Sequence, residues 1–537
     1  MSARISPKIA PCQEACPAGV DVPRYLRHIR EGRFDAALAV VRERIPFPLV
    51  CGHACFHPCE AKCARAQFDQ ALAIRMLKRV AAEQGRAGPG DAASLPPSGR
   101  RAAVIGAGPC GLTAAYYLAR QGHEVTVLEA QPRSGGLLRY GIPGYRLPDG
   151  AIDGDVRLIE EAGVRIRTGT RVASAEALLA EGFDAVLVAT GAWHSTPLGI
   201  PGDEGPQVLD GLAFLAQVNG GQPPPLGPRV VVIGGGNTAI DAARVARRLG
   251  AEVVQLYRRT RVEMPAAPEE IEAALEEGVR IEYLHAPVRI HAGAVTCTRM
   301  ALGAPDASGR ATPVPVAGSE YGITASAVIV AIGQQPALPT TAVQRRRNGT
   351  AIVTDDALAT SVPGLFAAGD AALGPASIIE AIAHGRRAAA AIDRALGGSG
   401  AIDRDSGASA GEGASQPPPV GRGTPRQRYP VIPLAQRLEG FAPVEHAYPA
   451  AVAQQEAARC LSCDLRHYDV EVNAAVCKDC GYCSEVCRRG VFARSDRFNA
   501  GGYQPAVAVA AERCVGCLDC LYVCPDFAIT IKQLAFH

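Results

Sequence analysis

The sequence predicts an α/β chain built on two Rossmann-like folds, one inserted in the other. A helical cysteine-rich domain precedes them and a small α+β cysteine-rich domain follows. Three observations carry this reading. A strand–glycine turn–helix–strand pattern occupies residues 101–130, and a second occupies residues 230–259. A strand and a long apolar helix at 364–392 come after the second pattern and complete the first. Sixteen of the 18 cysteines are gathered in short runs towards the two ends.

The totals set the frame. A chain of 537 residues is long enough for three or four domains at about 150 residues each. A hydrophobic content of 48% is ample for packed cores, and a net charge of +2 gives no electrostatic case for nucleic acid or an anionic membrane. No apolar run approaches the roughly 18 residues of a membrane span, and the opening MSARISPKIAPC lacks a signal-peptide core. The expected location is therefore cytoplasmic, where clustered cysteines point to metal rather than to disulfides.

In the first unit, RAAVIGAGPCGLTAAYYLARQGHEVTVLEA, an apolar strand enters the turn Gly106-Ala-Gly108-Pro-Cys-Gly111. Gly106 permits the tight turn, Gly108 lets the backbone approach a pyrophosphate, and Gly111 lets helix and strand pack closely. The helix start adds its positive dipole end, and Glu129 stands where a carboxylate would hold ribose hydroxyls. After the glycine-rich loop GGLLRYGIPGYRLP (135–148), FDAVLVATGA (183–192) reads as a buried strand closing on Thr190-Gly191. The proline-rich 219–228 then punctuates the chain.

The second unit, VVVIGGGNTAIDAARVARRLGAEVVQLYRR, places Gly234, Gly236, Asn237, Thr238 and Ala239 in the phosphate turn. Its second strand ends in Tyr257-Arg258-Arg259 with no acid. Paired arginines suit a 2′-phosphate better than a free ribose hydroxyl, so NADPH is expected, with NADH the alternative. ASAVIVAIGQQP (325–336) closes this fold, and AAGDAALGPASIIEAI resumes the first through Gly369-Asp370. Two such folds, one inserted in the other, form the plan of a flavoprotein with two dinucleotide sites, in which Asp370 would hydrogen-bond the FAD ribityl chain or pyrophosphate. A simple helix cap is the bland alternative for Asp370. His384, in the return helix, reads as a packed or helix-end histidine.

The last 61 residues carry Cys477-x2-Cys480-x2-Cys483-x3-Cys487 and Cys514-x2-Cys517-x2-Cys520-x3-Cys524-Pro525. Three thiolates at this spacing fold round one face of a cubane, and the fourth is carried to the other cluster, as in two-cluster ferredoxins. One 4Fe–4S cluster is thus expected on Cys477, Cys480, Cys483 and Cys524, and another on Cys487, Cys514, Cys517 and Cys520. Arg488 stands where the first run usually has proline. Zinc fits less well, because a tetrahedral site takes two CxxC pairs rather than four-cysteine runs. Eight further clustered cysteines (12, 16, 51, 55, 59, 63, 460 and 463) fit two more cubanes, but spacing alone does not group them. Cys110 and Cys297 are left over, and neither forms a CxxC dithiol.

From Cys12 to about Leu396 the chain resembles the small subunit of NADPH-dependent glutamate synthase and the N-terminal half of dihydropyrimidine dehydrogenase. The motifs that carry this are APCQEACP, CGHACFHPCEAKC, GGLLRYGIPGYRLP, GGGNTAIDAAR, YRRTRVEMPA and AAGDAALGPASIIEAI. The resemblance implies FAD in the first fold, with Gly136, Leu137, Arg146, Thr190 and Gly191 joining its contacts, and NADPH in the second. It also implies one cluster on Cys12, Cys63, Cys460 and Cys463, with EAARCLSC displaced here to the C-terminal side. Cys16, Cys55 and Cys59 remain for another. Relatives often complete that cluster with Glu or Gln where this chain has Lys78, which cannot ligate while charged. Cys51 is the expected substitute.

The expected domains are a helical iron–sulfur domain at 1–90 completed by 446–470, an FAD domain at 100–226 and 336–397, and an NAD(P)H domain at 227–335. A linker is expected at 398–445 and a ferredoxin domain with two 4Fe–4S clusters at 471–537. The expected function is that of an electron-transfer subunit joining NADPH, FAD and four clusters to an iron–sulfur partner enzyme, such as a 2-oxoacid oxidoreductase. No acid–base residue is needed for hydride transfer, so none is singled out as catalytic. The alternatives are a glutamate synthase small subunit, a free-standing NAD(P)H:ferredoxin oxidoreductase, and a zinc-stapled scaffold without activity.

Overall fold

The computed structural model describes residues 8–86, 94–306, 309–336, 338–340, 342–346, 351–403 and 423–534. The first nucleotide fold is a five-stranded parallel sheet in the order Leu365–Ala367, Ala185–Val188, Arg101–Ile105, Glu124–Leu128, Arg165–Arg167. Its central strands are covered on both faces, which is why they read as unbroken apolar runs. Helix Pro109–Arg120 packs on the return helix Ile378–Ala395. The two lie so close that a Cβ on Gly385 would sit 2.3 Å from the Cys110 carbonyl oxygen.

The second fold repeats the plan in the order Val208–Asp210, Ala327–Val330, Arg229–Ile233, Glu252–Tyr257, Arg280–Tyr283. An antiparallel four-stranded sheet (His285–His291, Ala294–Pro305, Ala311–Pro315, Tyr321–Thr324) is inserted in it. The chain leaves the first fold through His194–Ser195 and comes back through Gln334–Gln335, and these two segments pair antiparallel. The domain boundary expected at 226/227 is therefore corrected. Strand Val208–Asp210 and helix Gly211–Asn219 already belong to the second fold, and the proline-rich stretch is only the loop that follows them.

Helices Val22–Arg30, Phe34–Arg42, Pro48–Ala54 and Ile74–Gln84 form the N-terminal domain, joined by Ala450–Ala458. Their core runs without a break into the first nucleotide fold, with Tyr25, Phe47, Tyr117 and Ile382 in one buried cluster. Asp155 of the first fold adds a polar tie, accepting the Leu49 and Val50 N–H groups at 3.3 and 2.9 Å. A thin helical domain is thus held by its neighbour as well as by its cysteines.

The expected linker at 398–445 is corrected in its described part. Residues 423–445 form an ordered strap: Arg426 pairs with Glu60 at 2.7 Å, Arg75 with Glu445 at 2.8 Å, and the Val444 N–H donates to the Tyr145 carbonyl at 3.0 Å. Residues 404–422 lie outside the described residues. The C-terminal domain pairs His467–Val472 with Ile529–Leu534 and Phe492–Arg494 with Ala506–Ala508, around helices Tyr482–Val486 and Asp519–Val523. It packs on the N-terminal domain through Ala64, Leu461 and Val515, beside Phe68 and Cys463. Among the described residues no helix is long and apolar enough to cross a membrane.

Candidate functional site

A cavity of about 1490 Å³ runs from the turn at Gly106 to the turn at Gly234, across the paired segments that join the two folds. The glycines explain its shape. A Cβ on Gly111 would lie 2.1 Å from the Gly106 carbonyl oxygen, and one on Gly234, at φ +141°, 2.2 Å from that of Ala331. Both are packing requirements. Gly108 and Gly236 differ: a Cβ there would meet no protein atom within 4 Å. A side chain at either would project into space that a pyrophosphate needs, which is the fit expected of dinucleotide turns. Gly136 crosses the first turn, where a Cβ would come 2.8 Å from the Gly108 Cα. Leu137, Thr190 and Gly191 complete this wall, and the Thr190 hydroxyl is buried with no partner among the described residues. A buried hydroxyl left unpaired towards a cavity fits a polar ligand.

Glu129 is buried and lines the cavity while accepting N–H groups from Ala107 at 2.7 Å and Gln131 at 2.8 Å. The side chain is thus fixed in position for ribose hydroxyls, since each oxygen retains a further lone pair. Asp370 also lines the cavity, and burial raises its carboxyl to about 6. It is the first residue of a one-turn helix capped by Gly369, so it is not the cap itself. Gly369 is held from behind, its N–H donating to Nδ1 of His384 at 2.8 Å. That histidine is buried inside the return helix, and burial, with Arg387 nearby, pulls its imidazole down to about 4.

Arg146 departs from expectation. It lines the cavity, yet its guanidinium is held by Asp241 at 2.7 Å and Glu270 at 2.9 Å, both in the second fold. Its grip is on the other domain, and a flavin contact would compete with two carboxylates. In the second turn, Asn237 Oδ1 accepts the Ala267 N–H at 3.0 Å and Thr238 Oγ1 accepts from Gln334 at 3.3 Å. Ala239 is buried, its Cβ against Gly234. The two arginines also part company. Arg259 is buried, with Nε donating to the Ala311 carbonyl at 2.7 Å and Nη2 to Asp306 at 3.0 Å. Arg258 is exposed on the cavity wall.

Sequence reasoning missed three wall residues. Trp193, the one tryptophan in the chain, stands beside Tyr140 at a ring separation of 5.8 Å. Its place just after Thr190-Gly191 was the available signal. Phe56 and Ala54, from the N-terminal domain, also reach the cavity and flank Cys55. That contact is tertiary and leaves no mark in sequence.

Eight of the clustered cysteines line two C-terminal cavities, and the other eight lie in the N-terminal domain and the segment that completes it. Cys477, Cys480, Cys483 and Cys524 line a cavity of about 440 Å³. Cys487, Cys514, Cys517 and Cys520 line a neighbouring one. Burial pushes the Cys12 thiol up, reinforced by Cys463, Cys460 and Cys63 close by. Burial likewise raises Cys51 and Cys59, against Lys78, with Cys55 and Cys16 beside them. Four of the cysteine runs hold a non-glycine residue in the left-handed region: Ser462 (φ +49°), His57 (φ +40°), Asp479 (φ +60°) and Leu518 (φ +67°). Backbone N–H groups point at sulfur, Ala506 to Cys477 at 3.5 Å, Ala528 to Cys524 at 3.3 Å, His57 to Cys55 at 3.4 Å and Ser462 to Cys460 at 3.4 Å. All-thiol donor sets with N–H groups on sulfur fit iron–sulfur clusters.

A profile described as pyridine nucleotide-disulphide oxidoreductase matches residues 100–385, more than half of the chain. The chain belongs to this family. Within the pyridine nucleotide-disulphide oxidoreductases it is an NAD(P)H-dependent FAD and iron–sulfur enzyme. Residues 5–88 match the 4Fe–4S cluster domain II of dihydropyrimidine dehydrogenase, and residues 476–528 match a 4Fe–4S dicluster domain. The NADP(+)-dependent formate dehydrogenase subunit beta of Moorella thermoacetica is 40% identical over 498 residues, 84% of this chain and 70% of that one. The NADPH-Fe(3+) oxidoreductase subunit beta of Geobacter sulfurreducens is 40% identical over 428 residues, 72% of this chain and 64% of its own. The NADPH glutamate synthase small chain of Azospirillum brasilense is 35% identical over 415 residues, covering 71% of this chain and 85% of its own. The chain therefore spans about two thirds of the length of the first two relatives.

Within this family the unpaired cysteines matter. Cys110 and Cys297 are both buried, and burial raises both thiols, Cys297 to about 12. Neither is poised as a thiolate to take electrons from a flavin.

Proposed function

We propose that this chain is the electron-transfer subunit of a hetero-oligomeric oxidoreductase, moving electrons between NADPH and an iron–sulfur partner through FAD and four 4Fe–4S clusters. When bound, FAD supplies hydride exchange and single-electron release, and the clusters supply one-electron conduction. The observation that carries the reading is a file of residues between the nucleotide cavity and the cysteine runs. Phe56 and Ala54 form part of the cavity wall on either side of Cys55. Tyr25, buried, has Cys59, Cys12 and Cys16 around it. Lys8 has Cys463 and Cys514 near it and donates to the Glu512 carbonyl at 2.7 Å. Gln67 Nε2 meets Cys517 Sγ at 3.6 Å. The file ends at Cys480, which is exposed.

The residues of the chain do the positioning. Gly106, Gly108, Gly111, Glu129 and Asp370 hold FAD. Gly234–Ala239 and Arg258 hold NADPH, with Arg259 bracing the hairpin beside them. The clusters take Cys12, Cys63, Cys460 and Cys463; Cys16, Cys51, Cys55 and Cys59; Cys487, Cys514, Cys517 and Cys520; and Cys477, Cys480, Cys483 and Cys524. The dicluster match at 476–528 favours a partner with its own iron–sulfur or metal centre over a glutaminase. The named relatives that are beta subunits, of a formate dehydrogenase and of an NADPH-Fe(3+) oxidoreductase, support a partner subunit.

The test is to mix anaerobically purified protein with NADPH and record its electron paramagnetic resonance spectrum. Reduced-cluster signals are expected. A protein that carries no iron, or whose clusters stay silent under both NADPH and a stronger reductant, would defeat the reading.

A further inference from the structure

Helix Ile74–Gln84 lies against helix Pro48–Ala54 almost backbone to backbone, since a Cβ on Gly52 would sit 2.7 Å from the Arg79 Cα. Three cations line this side of the helix. Arg75 pairs with Glu445 at 2.8 Å and Arg79 with Glu83 at 2.6 Å. Lys78 is different. It is 4% exposed, next to Arg79 on the helix face packed against Gly52 and hence beside Cys51, with Cys55, Cys59 and Cys16 also around it. Asp155, the acidic group that also faces Cys51, is turned to the Leu49 and Val50 N–H groups.

A lysine buried this deeply needs either a neutral state or compensating negative charge. The site offers the second. Four thiolates outweigh the charge of a cubane core, so the group is anionic, and each electron added makes it more so. A fixed ammonium beside it favours the reduced form by direct attraction in a dry site.

We propose that Lys78 is the resident counter-cation of the Cys16/Cys51/Cys55/Cys59 cluster, tuning it to accept electrons from the adjacent flavin cavity. It is a positioning and tuning residue. The location supports the role, because Phe56 and Ala54 place this group next to that cavity. The inference rests on the assignment of these four cysteines to one cluster.

The test uses the full-length holoprotein with Lys78→Met, which keeps an unbranched apolar stem and removes the charge. Iron content should not change, and a potentiometric titration followed by electron paramagnetic resonance should show one N-terminal cluster harder to reduce. The expected fall is at least tenfold in its reduction equilibrium, about 59 mV for a one-electron couple. Unchanged iron with an unchanged potential would overturn the proposal. So would the loss of about four irons per chain, which would make the lysine nitrogen a ligand. Wild-type protein labelled with 15N-lysine gives a second measurement that does not depend on the variant folding: a strong hyperfine coupling would mean an Fe–N bond and refute the counter-cation, whereas a weak one supports it. Failure of the cysteine assignment is read separately, as Cys51→Ala retaining all its iron.

Discussion

Arg146 Nη1 donates to both carboxylate oxygens of Asp241, at 2.8 and 2.7 Å, and so bolts a loop of the first nucleotide fold to the glycine-turn helix of the second. Its Nε reaches Glu270 at 2.9 Å. Tyr145, one residue earlier, lies under Arg248 with 3.8 Å from guanidinium carbon to ring centroid. The relative placement of the two dinucleotide turns therefore depends on a buried ion pair. Arg146→Met should leave Asp241 without its ion-pair partner, Glu270 keeping Arg244, at about 3–5 kcal/mol of stability. It should also slow flavin reduction by NADPH, because the two sites lose their common register. Thermal unfolding and stopped-flow flavin bleaching test this together, and a variant with wild-type melting and bleaching would refute it.

The Gly369–His384 bond is sensitive to acid. Nδ1 can accept the N–H only while unprotonated, and burial holds the imidazole at about 4 against an ordinary 6.5. The folded value lies below the unfolded one, so the unfolded chain takes up the proton first. The stabilisation is complete above pH 6.5 and is lost as pH falls through 4, a change of about 3 kcal/mol. Apparent melting temperature and FAD retention should fall over this window in wild type and fall less in His384→Asn. Parallel curves would show that the histidine carries none of the acid sensitivity.

Much of this was legible in sequence where chemistry is local. Strands Arg101–Ile105 and Arg229–Ile233 read as apolar runs because parallel strands are buried on both faces. The cysteine runs read as ligand sets because a cubane dictates short spacing. What failed was tertiary. Val208–Asp210 is three residues long and gains its strand identity only from Ala327–Val330 beside it. The strap at 423–445 has the composition of a linker, and its order comes from distant partners such as Glu60, Arg75 and Tyr145. Arg146 belongs to a motif suggestive of cofactor contact, and only the fold shows its carboxylates.

The two arginines at the end of Glu252–Tyr257 should separate by experiment. Arg258 is exposed on the cavity wall, whereas Arg259 is committed to Asp306 and Ala311. Loss of a charged hydrogen bond to a 2′-phosphate is worth about 1.5–3 kcal/mol, roughly 10- to 150-fold in binding. Arg258→Ala should therefore raise the KM for NADPH by that factor with little change for NADH. Arg259→Ala should weaken both nucleotides alike by loosening the hairpin. Equal losses for NADPH and NADH in Arg258→Ala would mean that it does not read the phosphate.

Cys51 decides the composition of the cluster nearest the flavin cavity. It is fully buried on helix Pro48–Ala54, with Cys55, Cys16 and Lys78 facing it. A thiol in that place is either a ligand or a packing residue. As a ligand, its replacement by alanine should lower iron by about four atoms per chain, the content of one 4Fe–4S cluster. The signals of the C-terminal pair should survive, since Cys477 and Cys514 belong to separate cavities in another domain. NADPH should still bleach the flavin in this variant while the C-terminal clusters stay oxidised, because the first step of the file would be missing. Full iron content would instead make Cys51 a packing residue and leave the fourth ligand to be sought elsewhere around Cys16, Cys55 and Cys59.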